Sequence, residues 1–213
     1  DLIPDLGFPP VNFGGWSSPQ AEWYKMSAAH NTLVVDGLDL ANAGGQTLWW
    51  QDEGSVRGIC VSAPGLIEGE VFERTIVIVD TGEADAYIVD VFRVQGGADH
   101  TRFLLGPFGP MQTTGLDLAP APDYGHDTLM RAFQADATPA EGWAADWTLE
   151  DRAGVAPPGA AVHLRYTDLS RGVEAGICES WACYGSYGNK DEVWLQRPWL
   201  RRRAQDTPLA STF

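Results

Sequence analysis

The chain has 213 residues, a formal net charge of −15 and a pI near 4.4, a length that fits one large domain or two small ones and suffices for a sizeable core. Hydrophobic residues make up 44% and nine tryptophans are present, which excludes a disordered chain; the acidic balance argues against a nucleic-acid binder, which needs a basic face. No apolar run approaches the roughly 18 residues of a membrane-spanning helix.

The chain opens at Asp1 without a Met or a signal peptide and stops at Thr212-Phe213 after an apolar stretch, so it reads as an internal piece of a longer protein. From there the dominant period is two. In Val71–Val79, Phe72, Ile76 and Ile78 share a face with Arg74, while Val71, Glu73, Thr75, Val77 and Val79 share the other. Tyr87–Val94 is rich in β-branched and aromatic residues, and in Ala160–Tyr166 the residues Ala160, Val162, Leu164 and Tyr166 alternate with Ala161, His163 and Arg165. These patterns predict strands. Turn signals separate them: Asp36-Gly37, Gly44-Gly45, Pro64-Gly65, Asp80-Thr81-Gly82, Gly96-Gly97, Pro157-Pro158-Gly159 and Tyr187-Gly188-Asn189. No window of about 12 residues shows a 3.6-residue period. Residues 107–158 are richer in Pro, Ala, Gly and Asp and predict long loops with short strands. The expectation is all-β: a large antiparallel β-sandwich of two stacked sheets and about a dozen strands, forming one domain over residues 1–213.

The three cysteines, Cys60, Cys178 and Cys183, make a poor disulfide framework. Cys178 and Cys183 can pair only if a turn lies between them, since a strand would hold them too far apart; buried free thiols are the favoured reading. Of the four histidines, His126 beside Asp127 reads as a solvated loop residue and His163 as an exposed one on a strand face. His30 stands in Ser27-Ala28-Ala29-His30-Asn31-Thr32-Leu33-Val34-Val35-Asp36-Gly37, at the entrance of a buried strand. The plain reading there is a histidine that caps the strand through hydrogen bonds. Arg201-Arg202-Arg203 is the one basic run and reads as a charged edge that blunts strand pairing. Trp49-Trp50 could stack a sugar ring, although tryptophans in a sandwich are mostly core. There is no Gly-rich phosphate loop and no GxSxG elbow for a nucleophilic serine.

Residues 30–37 resemble the His-Asn-Thr-(apolar)₃-Asp-Gly signature of the heparinase II/III-like domain, the β-sandwich half of several polysaccharide lyases. Asp5-Leu6-Gly7 followed by Phe8 resembles the family's upstream Asp-x-Gly segment, and Trp23-Tyr24-Lys25 its aromatic stretch. Tyr87-Ile88-Val89-Asp90-Val91-Phe92-Arg93-Val94-Gln95-Gly96-Gly97 with the following His100 resembles its YxxDxFRVxGG…H stretch, and Pro208–Phe213 the run into its terminal strands. The resemblance spans essentially the whole chain.

It implies an N-terminal (α/α) toroid, absent here, packed on this sandwich, with an anionic polysaccharide in the cleft between them. The implied reaction is β-elimination on a uronic-acid polymer: the carboxylate is neutralised, a base removes the C5 proton and an acid protonates the leaving O4. Most of that machinery is expected in the toroid, so this fragment alone is expected to be inactive. The resemblance further implies a zinc site whose ligands here are Asp5 and His30, with a third histidine from an upstream His-x-His segment outside this chain. It suggests Tyr24 as a catalytic residue, and His100 and Arg102 as substrate-binding residues, Arg102 pairing a uronate carboxylate. The family's further histidine before the strand-end glycine is replaced by Leu105-Gly106. A periplasmic or secreted location follows from the same resemblance. A charge of −15 does not exclude a polyanionic substrate, because screening limits its reach to about 8 Å at physiological salt. The readings of another class are a non-catalytic carbohydrate-binding or scaffolding sandwich, and a hydrolase or epimerase of similar architecture.

Overall fold

A computed structural model describes residues 3–82, 85–152, 154, 156, 159–184, 191–204 and 208–213. Strands account for 47% and helix for 7%, against a helical base rate of about a third, so the all-β expectation holds. Among the described residues the one α-helix, α1 (Pro19–Trp23), is five residues long. Among the described residues no helix is long and apolar enough to cross a membrane.

The strands in chain order are β1 (Leu33–Val35), β2 (Gln46–Gln51), β3 (Val56–Ser62), β4 (Val71–Asp80), β5 (Ala86–Gln95), β6 (Asp99–Phe103) and β7 (Met111–Thr114), followed by β8 (Ala119–Pro120), β9 (Met130–Asp136), β10 (Ala144–Thr148), β11 (His163–Thr167), β12 (Glu174–Tyr184), β13 (Asp191–Arg203) and β14 (Ala210–Thr212). They form three antiparallel sheets rather than two, ordered β1-β6-β13-β12-β9-β8, β11-β10-β7 and β14-β5-β4-β3-β2. The predicted turns at Pro157-Pro158 and Tyr187-Gly188-Asn189 lie outside the described residues.

The chain divides into two compact units, Asp1–Leu33 with Thr101–Arg201 and Val34–His100 with Arg202–Phe213. The second holds the five-stranded sheet. Its β4-β5 hairpin pairs ten residues on each side, from Val71↔Gln95 to Asp80↔Ala86. Arg74 stands on the apolar face that the alternation predicts, and the register explains why it is tolerated. Its guanidinium lies 4.7 Å from the centroid of Phe92, its cross-strand partner, and meets Asp90 through Nε at 2.9 Å and Nη2 at 2.8 Å. The Asp36-Gly37 turn is locked from the side: the Asp36 carboxylate accepts from the N–H groups of Ala98 at 2.8 Å and Asp99 at 2.9 Å. Gly97, at φ 65°, leaves room for this, because a Cβ there would run into Val35 and Asp36. Trp49 and Trp50 are both exposed on β2, an outer strand of the sheet, so they depart from the expectation of core tryptophans.

The first unit is built around the long β12-β13 pair, in register from Glu174↔Arg201 to Tyr184↔Asp191. Trp23, Trp143, Trp147, Trp181 and Trp199 are all buried in this unit. Cys178 and Cys183 are free and lie five apart on one strand, so they point to opposite faces of the sheet. Burial pushes the Cys178 thiol up to about 12, against the opposing Arg197 charge. Gly176 sits where β12 passes under Trp199 on β13 and beside Gln134 on β9. A Cβ there would meet the Gln134 carbonyl and stand 2.6 Å from the Trp199 ring. Gly176→Ala is therefore expected to destabilise the protein by about 1–3 kcal/mol through overpacking, read as a lower urea midpoint at unchanged m-value.

Candidate functional site

Residues 3–32 carry the pieces of one site. Ser18 caps α1, its Oγ accepting from the Ala21 N–H at 3.2 Å; with Pro19 in the first turn and Glu22 following, this is a start signal that the search for long helical periods passes over. Trp23 is fully buried and donates from Nε1 to the Trp181 carbonyl at 2.9 Å. A single 3-10 turn, Ser27–Ala29, then delivers His30 in an extended conformation at φ −106° and ψ 176°.

Asp5 and His30, 25 residues apart in sequence, converge: His30 Nδ1 lies 2.6 Å from Asp5 Oδ1. Local chemistry explains the Asp-x-Gly spacing. The second carboxylate oxygen, Oδ2, accepts from the Gly7 N–H at 2.8 Å, an Asx turn that Gly7 closes at φ 71°, a conformation that favours glycine. One oxygen is thus held by the backbone and the other faces the imidazole. Burial alone would raise the Asp5 pKa, but the His30 hydrogen bond, the Gly7 N–H, the His30 charge and the Leu6 N–H outweigh it and hold the carboxyl below its ordinary value.

The other ring nitrogen, His30 Nε2, lies 3.0 Å from the Tyr24 carbonyl. A carbonyl only accepts, so Nε2 carries the proton. Nδ1 then faces the Asp5 carboxylate at 2.6 Å, close enough for the two atoms to share a proton or to turn toward one metal ion. The side chains of His30 and Asp5 are 31% and 57% exposed, so an ion can enter from solvent. An imidazole nitrogen and a carboxylate oxygen, with the far nitrogen fixed by a backbone carbonyl, suit Zn²⁺. Among the described residues no group of three His, Cys, Asp or Glu side chains gathers here, so these two are what the described residues offer.

Asn31 is the connector that sequence reasoning quotes without giving it a task. Its Nδ2 donates to the Pro4 carbonyl at 2.7 Å, and its Oδ1 accepts from the Leu105 N–H at 2.6 Å. The segment bearing Asp5 is thereby tied to the residue next to His30. Leu6 adds an apolar tether, packing against the buried cluster Leu105, Ala182 and Leu195. An asparagine directly after a candidate ligand is the signal that could have found this.

Tyr24 adjoins this pair, since its carbonyl meets His30 and the Asp5 charge acts on its phenol. Tyr24 is 4% exposed, and its hydroxyl oxygen accepts from the Cys183 N–H at 2.8 Å. Burial pushes its pKa up to about 12. The catalytic expectation for Tyr24 thus meets a phenol that supports β12 from the interior. His100 is fully buried, with Nδ1 2.9 Å from Ser211 Oγ and Nε2 2.5 Å from the Gly96 carbonyl; burial lowers its pKa. Arg102 is 5% exposed among Leu104, Tyr166 and Pro198. His100 and Arg102 were expected to bind substrate, and neither presents a surface for it here. Both belong to β6, whose residues from His100 to Phe103 are all buried. His126 and His163 are exposed, as expected.

The Hepar_II_III_C model, described as "Heparinase II/III-like, C-terminal", matches residues 1–177. No curated protein matches significantly. Among solved structures, a heparinase III described as the BT4657 gene product matches with a TM-score of 0.60 and 16% identity over 99% of this chain and 27% of its own. The heparan sulfate lyase HepC from Pedobacter heparinus matches with a TM-score of 0.55 and 10% identity over 99% of this chain and 27% of its own. The chain therefore spans about a quarter of the length of the solved proteins it matches.

Tyr24→Phe removes the acceptor of a partly buried N–H and is expected to cost about 1–3 kcal/mol at neutral pH. Because the folded pKa is raised from 10.0 to about 12, the tyrosine's contribution is fully present below the unfolded value and is lost as pH rises through the folded one. The stability gap between wild type and Tyr24→Phe should accordingly narrow between those two pH values in urea melts.

Proposed function

The chain belongs to the heparinase II/III-like family through its C-terminal domain, and we propose that it is the β-sandwich portion of a polysaccharide lyase that cleaves uronic-acid-containing polymers by β-elimination. The observation that carries this reading beyond fold is the Asp5–His30 contact at 2.6 Å, made by the two family-like motifs and by no other histidine–carboxylate pair so close among the described residues.

In this reading Asp5 and His30 hold a zinc ion together with a ligand from another part of the same protein. Bound there, zinc would supply a fixed positive charge at the domain wall. The chain's own groups do the preparatory work. The Tyr24 carbonyl holds the His30 proton on Nε2 and leaves the Nδ1 lone pair directed at the site; the Gly7 N–H and the Asn31 amide keep the Asp5 segment in place. The base that takes the C5 proton and the acid that protonates O4 are assigned to a further, toroidal domain, in keeping with the quarter-length coverage of the matched proteins. The sandwich contributes cleft shape, and small misplacements of a wall are costly in rate. A periplasmic or secreted enzyme acting on extracellular polymers fits the same reading.

The test is the whole protein with heparan-type and alginate-type substrates. Cleavage should produce the ultraviolet band of a C4–C5 double bond conjugated to the carboxylate, and the 213-residue chain alone should produce none. Asp5→Asn and His30→Ala in the whole protein should each lower both turnover and bound zinc relative to wild type. A whole protein that binds uronate polymers and never releases unsaturated products would move the assignment to a carbohydrate-binding module.

A further inference from the structure

Arg197, on β13, is fully buried, and among the described residues no carboxylate answers its charge; the titratable neighbour acting on it is Cys178. Nη1 donates to the Ala28 carbonyl at 2.9 Å and Nη2 to the His30 carbonyl at 3.1 Å. The guanidinium lies 5.0 Å from the Phe103 ring centroid, and Nε is buried without a partner. An unpaired buried cation is costly, and an apolar side chain of similar volume would fill the space more cheaply. What arginine alone supplies is a rigid planar fork that reaches two acceptors at once.

Those two acceptors bracket His30. The Ala28 carbonyl belongs to the 3-10 turn that ends one residue before it, and the other is the carbonyl of His30 itself. Holding both fixes the backbone on either side of the His30 Cα, and with it the direction in which the imidazole leaves the chain. We propose that Arg197 is the positioning residue for His30: its fork aims the imidazole so that Nε2 meets the Tyr24 carbonyl and Nδ1 faces Asp5. Burial lowers the Arg197 pKa to about 10, which leaves the guanidinium fully protonated, with all its donors, at neutral pH. The zinc arm of the test below rests on the metal reading given above; the imidazole arm does not.

The experiment is nitrogen NMR of the histidine rings in the 213-residue chain, for wild type, Arg197→Lys and Arg197→Met. Lysine keeps a charge but loses the fork, and methionine fills the volume without charge or donors, so one variant covers a folding failure of the other. In wild type His30 should be protonated on Nε2, the tautomer that its contact with the Tyr24 carbonyl sets. In the variants the His30 ring signals should move toward those of a tautomer-averaged imidazole, while buried His100 keeps its own signals. Zinc titrated into wild type should shift the His30 Nδ1 resonance, and the same shift in Arg197→Lys should need about tenfold more zinc, the lower end of what outer partners of a metal ligand contribute. Unchanged His30 signals in the folded variants, or a His100 change as large as that of His30, would overturn the proposal. If zinc leaves the wild-type Nδ1 signal unmoved, the metal reading falls, and the metal-free spectra still decide the role of Arg197.

Discussion

Residues 3–32 contain one five-residue helix and two single 3-10 turns and no strand, so most of their backbone N–H and C=O groups have no regular ladder to join. Packed against buried structure, such groups must find other partners, because an orphaned buried amide costs as much as a lost hydrogen bond. Side chains supply them. Asn31 serves Pro4 and Leu105, His30 serves Tyr24, and Arg197 serves Ala28 and His30. In return Trp23 and Tyr24 bond the backbone of β12 at Trp181 and Cys183. The irregular segment is thereby as closely specified as a strand, by a different set of bonds.

The candidate site is a by-product of that constraint. His30 is oriented by its duty to the Tyr24 carbonyl, and Asp5 by the Gly7 N–H. Each group spends one polar atom on structure and leaves the other free to face its neighbour. This division is what separates His30 from His100, both of whose nitrogens are spent inside the fold and which is fully buried. Two histidines in equally suggestive motifs therefore end in different roles, decided by how many ring nitrogens the surroundings consume.

The second unit shows how an acidic protein of this composition tolerates charge within a sheet. Arg57 meets both oxygens of Asp80, at 2.7 and 2.9 Å, and Arg74 both oxygens of Asp90. Twelve of the fourteen cations in the chain are arginine, and the fork geometry that lysine lacks recurs in Arg74 and in Arg197. Arg57 and Arg74 each meet a carboxylate of their own, so the net charge of −15 says little about any one site.

The sequence by itself determined the all-β class, the positions of β4, β5 and β11, and the turns at Asp36-Gly37 and Gly96-Gly97, because strand alternation and left-handed glycine turns are local properties of the chain. Asp5 and His30 stood out in it only through the resemblance of Asp5-Leu6-Gly7 and His30-Asn31-Thr32 to the motifs of the heparinase II/III-like domain. Only the tertiary structure decided that those two side chains meet, that the strands divide among three sheets, and that Tyr24, His100 and Arg102 lie inside. Their exposure depends on which element packs over them, and no local pattern carries that information. Arg197 is the clearest case. It is separated by 167 residues from the His30 carbonyl it holds, and in Leu195-Gln196-Arg197-Pro198-Trp199 nothing marks it apart from the exposed arginines of the same chain, because its role exists only once β13 is laid against the turn before β1.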